Sequence, residues 1–103
     1  MMKKQLGDDL ASALVTFSVP ADFAGDRIVV VGEFNGWDPE ANVLTPNGSG
    51  ACTCSVVLEL GRHYRFRYLV DGQRWENDWE ADYYEPNEFG GNDSVVRTDD
   101  LSE

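Results

Sequence analysis

Apolar side chains recur at every second position along several short stretches of this chain, the signature of strands that bury one face and wet the other. In "ALVTFSV", Ala13, Val15, Phe17 and Val19 share one side. The β-branched run "RIVVVGEF" reads as a second strand. "CTCSVVLEL" and "HYRFRYLV" follow with only Gly61 and Arg62 between them, a spacing that predicts a hairpin. In the latter, Tyr64, Phe66, Tyr68 and Val70 face one way and His63, Arg65, Arg67 and Leu69 the other. Asp71-Gly72, two residues that tolerate positive φ, turns the chain back through "QRWEN", and "SVVRT" supplies a last strand. Beyond a trace in Leu6 to Leu14, no window shows helical spacing. Short strands divided by polar, glycine-bearing loops predict an all-β fold, two antiparallel sheets packed as a sandwich.

A chain of 103 residues is one domain's worth, with its core expected over about residues 11 to 98 and both ends, including "TDDLSE", expected to fray. Charge narrows the partners. With 19 acidic and 8 basic residues the net is −11, a field that repels phosphate backbones and anionic lipid head groups. Nucleic acid and membranes are thus not expected partners, whereas an uncharged ligand or a basic protein surface fits. Gly7, Asp8 and Asp9 stand where a secretory signal would need an apolar core, and no run approaches the roughly 20 apolar residues of a membrane span. The expectation is a cytoplasmic, unexported protein. Cys52 and Cys54, two apart on a strand, share a face with Cα atoms about 6.5 Å apart, at the limit of disulfide geometry. They read as reduced, small apolar residues. With His63 the one histidine, neither a metal site nor a cofactor is expected.

Trp37 and Trp75 each lie within a few residues of a glycine turn, beside Asn35, Arg74 and Asn77. A lone tryptophan most often packs in a core. Two on turns with polar neighbours point elsewhere: a rigid apolar plate edged by hydrogen-bonding groups suits a neutral sugar, which offers a C–H face and a rim of hydroxyls.

Three segments in order, "VVVGEFNGWDP", "YRFRYLVDGQRWEND" and "EFGGNDSVV", resemble family-48 carbohydrate-binding modules. This is the immunoglobulin-like early-set sandwich of the glycogen-binding domain of the AMP-activated protein kinase β subunit and of the N-terminal domains of isoamylases and branching enzymes. The resemblance runs from about Ala13 to Arg97. It implies non-catalytic binding of α-1,4-glucan (glycogen, starch or maltooligosaccharide) by two tryptophans, carried over as Trp37 and Trp75. Arg74 is an added residue between the "VDGQ" turn and the second tryptophan, while Asp78 matches the family's downstream acidic position. By the same resemblance Arg67 stands where a lysine bonds glucose hydroxyls, Phe89 where an apolar loop residue reaches past the sugar chain, and Asp93 or its neighbour Asn92 where an asparagine contacts sugar.

Two other readings stand beside this one. Early-set domains also serve as interaction or regulatory modules that dock on a glucan-metabolising enzyme or another protein without binding sugar. The acidic stretch "NDWEADYYEPNEF" raises a paired-carboxylate glycosidase, but a sandwich of this size has little room for the cleft one needs, so no enzyme is expected. That stretch lacks the spacing of a calcium loop and reads as an edge loop packed down by Trp79, Tyr83 and Tyr84.

Overall fold

The central strand of the molecule, His63–Val70, obeys the period-two pattern: Phe66 and Tyr68 are fully buried on one face and Arg65 and Arg67 lie on the other. A computed structural model describes residues 2–7, 11–20, 26–88 and 90–101. In it nine strands form two antiparallel sheets. The first sheet has the order β1 (Met2–Leu6), β2 (Ser12–Pro20), β5 (Ala51–Glu59), β4 (Thr45–Pro46). The second has the order β3 (Ile28–Gly32), β6 (His63–Val70), β9 (Asn92–Arg97), β8 (Tyr83–Pro86), and β7 (Arg74–Glu76) also pairs with β6. The chain is an all-β sandwich, as its alternation predicts. Among the described residues no helix is long and apolar enough to cross a membrane.

The core lies between the sheets. Ala13, Val15, Phe17 and Val19 of β2 meet Val30, Phe66, Tyr68 and Val96 of the other sheet. Phe17 is its hub, with ring centroids 5.0 Å from Phe66 and 5.5 Å from Phe34. Half-buried Cys52 and Cys54 are free thiols packed against this core, and burial pushes the Cys54 thiol up. On the outside of the second sheet a smaller cluster of Val29, Val31 and Leu69 is covered by Val43. Residues 42–44 run back along the free edge of β3, through Val30 N to Asn42 O at 3.0 Å and Leu44 N to Ile28 O at 2.9 Å.

Three expectations need correction. β5 and β6 do not form a hairpin: β5 pairs with β2 along all nine of its residues, and β6 belongs to the opposite sheet. Residues 60–62 arch across the end of the sandwich, because the apolar faces of both strands close one core from opposite sides. Thr98 fastens the arch. Its hydroxyl donates to Glu59 O at 2.6 Å and accepts from Arg62 N at 3.1 Å, and Thr98 N donates to Arg62 O at 2.8 Å.

Over their described lengths both ends carry packed structure outside the expected core of residues 11 to 98. β1 pairs with β2 from Met2↔Phe17 to Leu6↔Ala13. Lys4 on β1 crosses to the other sheet, where it donates to Asp82 at 2.8 Å, Asp100 at 3.0 Å and the carbonyl of Arg97 at 3.0 Å. Leu101 packs on the core. Charged contacts absent from any local pattern therefore tie β1 to residues 97 and 100. Asp8, Asp9 and Phe89 lie outside the described residues.

Thirdly, the segment read as an edge loop contains strand β8, paired with β9 from Tyr83↔Val95 to Pro86↔Asn92. Trp79 is 65% exposed, and Tyr84 donates to the carbonyl of Asp78 at 2.6 Å.

At the C-terminal end of β9, Arg97 Nε donates to Asp99 at 2.7 Å and His63 Nε2 lies 2.8 Å from the same carboxylate. The Arg97 bond first, and His63 next, lower the Asp99 pKa from its usual 3.8 to about 2. A depressed carboxyl pKa adds stability that is present above 3.8 and lost as the pH falls through about 2. Carbon-detected NMR titration is expected to find the Asp99 midpoint near 2 in the native protein. In Arg97→Ala it moves up toward the ordinary carboxyl range.

Candidate binding cleft

Trp37 is carried to the surface by a close approach of two backbones. Gly32, the last residue of β3, is extended (φ −167°), and a Cβ there would fall 2.5 Å from the carbonyl oxygen of Arg65 and 2.8 Å from the Cβ of Phe66. Only glycine fits. A single 3-10 turn, Glu33–Asn35, then lifts the chain off the sheet. Asn35 locks it, accepting from Gly32 N at 3.1 Å and donating to Val30 O at 3.0 Å and to Asn42 Oδ1 at 2.8 Å. Gly36 and then Trp37 itself take left-handed backbone, φ 68° and 60°. For a side chain of this bulk that conformation costs about 1–2 kcal/mol. The Trp37 N–H, bonded to Gly32 O at 2.9 Å, helps hold it there.

Trp75 arrives from the other side of β6. The β6–β7 hairpin closes through Asp71–Gln73, with Asp71 and Gly72 at positive φ and Gln73 N bonded to Val70 O at 3.1 Å. Arg74 enters the ladder opposite Val70, so the added residue is absorbed in a three-residue turn and Trp75 pairs with Leu69. That register sets the indole on the outer face with Arg67. The Arg67 guanidinium carbon lies 5.9 Å from the Trp75 ring centroid, within cation–π range. Arg67 Nε is buried and has no hydrogen-bond partner among the described residues.

The facing wall is an ionic lattice around Arg65. Its Nη2 donates to Glu85 at 2.5 Å, and its Nη1 reaches Asp93 at 3.4 Å and the carbonyl of Pro86 at 3.3 Å. Burial works against the Arg65 charge, but the Glu85 and Asp93 carboxylates outweigh it and hold its pKa above the usual value. Asn87 donates to the other oxygen of Asp93 at 3.1 Å, and Glu33 accepts from Arg65 N at 2.7 Å.

Together these groups enclose an open cleft of about 950 Å³ on the outer face of the second sheet. It forms where the edge of β6 changes partner, from β9 over His63–Phe66 to β7 over Tyr68–Val70, with Arg67 in the gap. Four of the six residues singled out from the sequence line it: Trp37, Trp75, Arg67 and Asp93. Trp37 is 40% exposed and Trp75 42%. Asn92 is not among the lining residues. It precedes Asp93 on β9 and so points to the other face, while its carbonyl accepts from Asn77 Nδ2 at 2.8 Å. Asp93 is nearly buried and already shared by Arg65 and Asn87, which makes it a support of the wall more than a free acceptor.

Sequence reasoning missed Arg65, Glu33, Asn87 and Glu88, which also line the cleft. Alternation with Arg67 was a usable signal for Arg65. The other three sit in a turn or a loop, where no period marks a facing direction. No group of three or more potential metal ligands occurs among the described residues.

Because the Trp37 backbone is left-handed and its ring half-exposed, Trp37→Gly is expected to leave unfolding free energy within about 1 kcal/mol of the native protein. Gly32→Ala, which drives a Cβ into backbone, is expected to cost about 2 kcal/mol or more. Urea unfolding of the two variants checks both. No protein-family model matches this chain, and no curated protein matches it.

Proposed function

We propose that this domain is a non-catalytic module that binds neutral α-1,4-linked glucan, a maltooligosaccharide or the outer chains of glycogen or starch. The observation that carries the reading is the pair of half-exposed indoles bordering one cleft that Arg67 also lines. Each indole offers a hexose an apolar plate, and Arg67 offers its rim a fork of donors. The turn fixes the Trp37 backbone, and strand register with the Arg67 contact fixes Trp75, so part of the ordering cost is met before binding. A net charge of −11 is compatible with an uncharged ligand, and two free thiols suit a cytoplasmic setting.

A stacking site covers one side of each sugar, and every hydroxyl exchanges water for protein, so affinity is expected between micromolar and millimolar, about −4 to −8 kcal/mol. Titration with maltoheptaose, followed by tryptophan fluorescence and amide shifts, is expected to perturb Trp37, Trp75 and Arg67. Trp37→Ala and Trp75→Ala should each weaken binding about tenfold or more, roughly 1.4 kcal/mol, with an unchanged amide spectrum elsewhere. Absence of any response at several millimolar sugar would overturn the proposal.

A further inference from the structure

The acidic residues of this chain are unevenly placed. β2 and β5 together contribute one charge, Glu59 at the very end of β5, although the whole chain carries −11. The outward positions of these two strands are Ser12, Leu14, Thr16 and Ser18 beside Thr53, Ser55 and Val57, and Val57 is 67% exposed. Thr16 and Ser55 bond each other across the strands at 2.9 Å, which lowers their demand for water. Two copies of so acidic a chain repel each other over surfaces that carry the excess charge, and least over this uncharged sheet.

Among the described residues of β1, β2 and β5, the two outward charges, Lys3 and Glu59, are of opposite sign and symmetrically disposed. Lys3, outward on β1, stands opposite Thr16, and Glu59 stands opposite Ser12. Leu14 lies midway between Ser12 and Thr16 on β2, so it marks the midpoint of the line from Lys3 to Glu59. A two-fold axis lying between two such sheets and passing over Leu14, perpendicular to that line, sets each Lys3 against the partner's Glu59 and Leu14 against its own copy. Self-complementarity of this kind is what an isologous interface requires.

We infer that the outer face of the four-stranded sheet is a self-association surface, occupied by a second copy of this chain about a two-fold axis over Leu14. Glu59 keeps its exposed contact with Arg62 (2.6 Å), which does not bury it, and remains available to a lysine. The patch is three strands wide and about eight residues long, roughly 15 × 26 Å or about 400 Å² per copy. That is small for a stable complex, so the dimer is weak and reversible, forming at high micromolar concentration. The cleft lies on the opposite sheet, and both clefts stay open in the dimer.

Sedimentation velocity of the full chain from 10 µM to about 1 mM, at about 0.15 M salt so that the net-charge repulsion is screened, tests this. The weight-average mass is expected to rise from 11.5 kDa toward about 23 kDa. Leu14→Lys, which opposes two like charges at the axis, is expected to abolish the rise. Lys3→Glu and Glu59→Lys should each weaken association at least tenfold, and the double variant should restore it. Amide spectra of the variants report that the fold is kept. A mass that stays at 11.5 kDa at 1 mM overturns the inference. So does a dimer that survives Leu14→Lys or is not rescued by the charge exchange.

Discussion

The alternation of β6 is the constraint on which the rest of this molecule depends. This one strand pairs with β3 on one edge and with β9 and then β7 on the other. Its inward residues Phe66 and Tyr68 join the core, and its outward Arg65 and Arg67 line the cleft. A slip of one residue would bury two guanidinium groups and expose the aromatic row, a change far larger than the net stability of a domain of this size. Core and cleft are therefore two faces of one register.

The change of partner along the edge of β6 leaves an opening, and the sequence closes its inner side with polar groups. Asn77 Oδ1 accepts from the N–H and hydroxyl of Ser94, at 3.1 and 2.8 Å, tying β7's exit to β9. Asp78, buried beneath, accepts from the Tyr68 hydroxyl at 2.7 Å. Burial first, and the Asp78 carboxylate next, push the Tyr68 pKa far up, so the phenol stays a donor. A satisfied buried network of this kind is rigid, and it forms the foundation beneath Arg67 and Trp75.

Charge is distributed by a similar logic. Around the cleft, Arg65 is held by Glu85 and Asp93, whereas Arg67 makes neither of those contacts and lies against an indole. Lys4 gathers two aspartates from the opposite sheet and so clamps the first strand to the last residues of the chain. On the other sheet, β2 and β5 carry no charge but Glu59, and the two faces of the sandwich thus present different chemistry to the surroundings.

The sequence by itself determined which residues face together within each strand, because period-two alternation is a property of the extended backbone alone. It also marked the glycine turns that bring Trp37 and Trp75 to the surface, since positive φ is a local demand that few residues meet. The shared face of Arg65 and Arg67, opposite Tyr64, Phe66 and Tyr68, was legible in the same way. Only the tertiary structure decided which strands are neighbours. The link between β5 and β6 suits a hairpin as well as an arch, and the choice was made by nine residues of β2 pairing with β5 from far along the chain. Likewise, contacts across the sandwich hold β1 and Leu101, and the ladder with β8 puts Asp93 rather than Asn92 in the cleft. Such pairings are settled by the burial of apolar area between distant segments, and no local pattern encodes that sum.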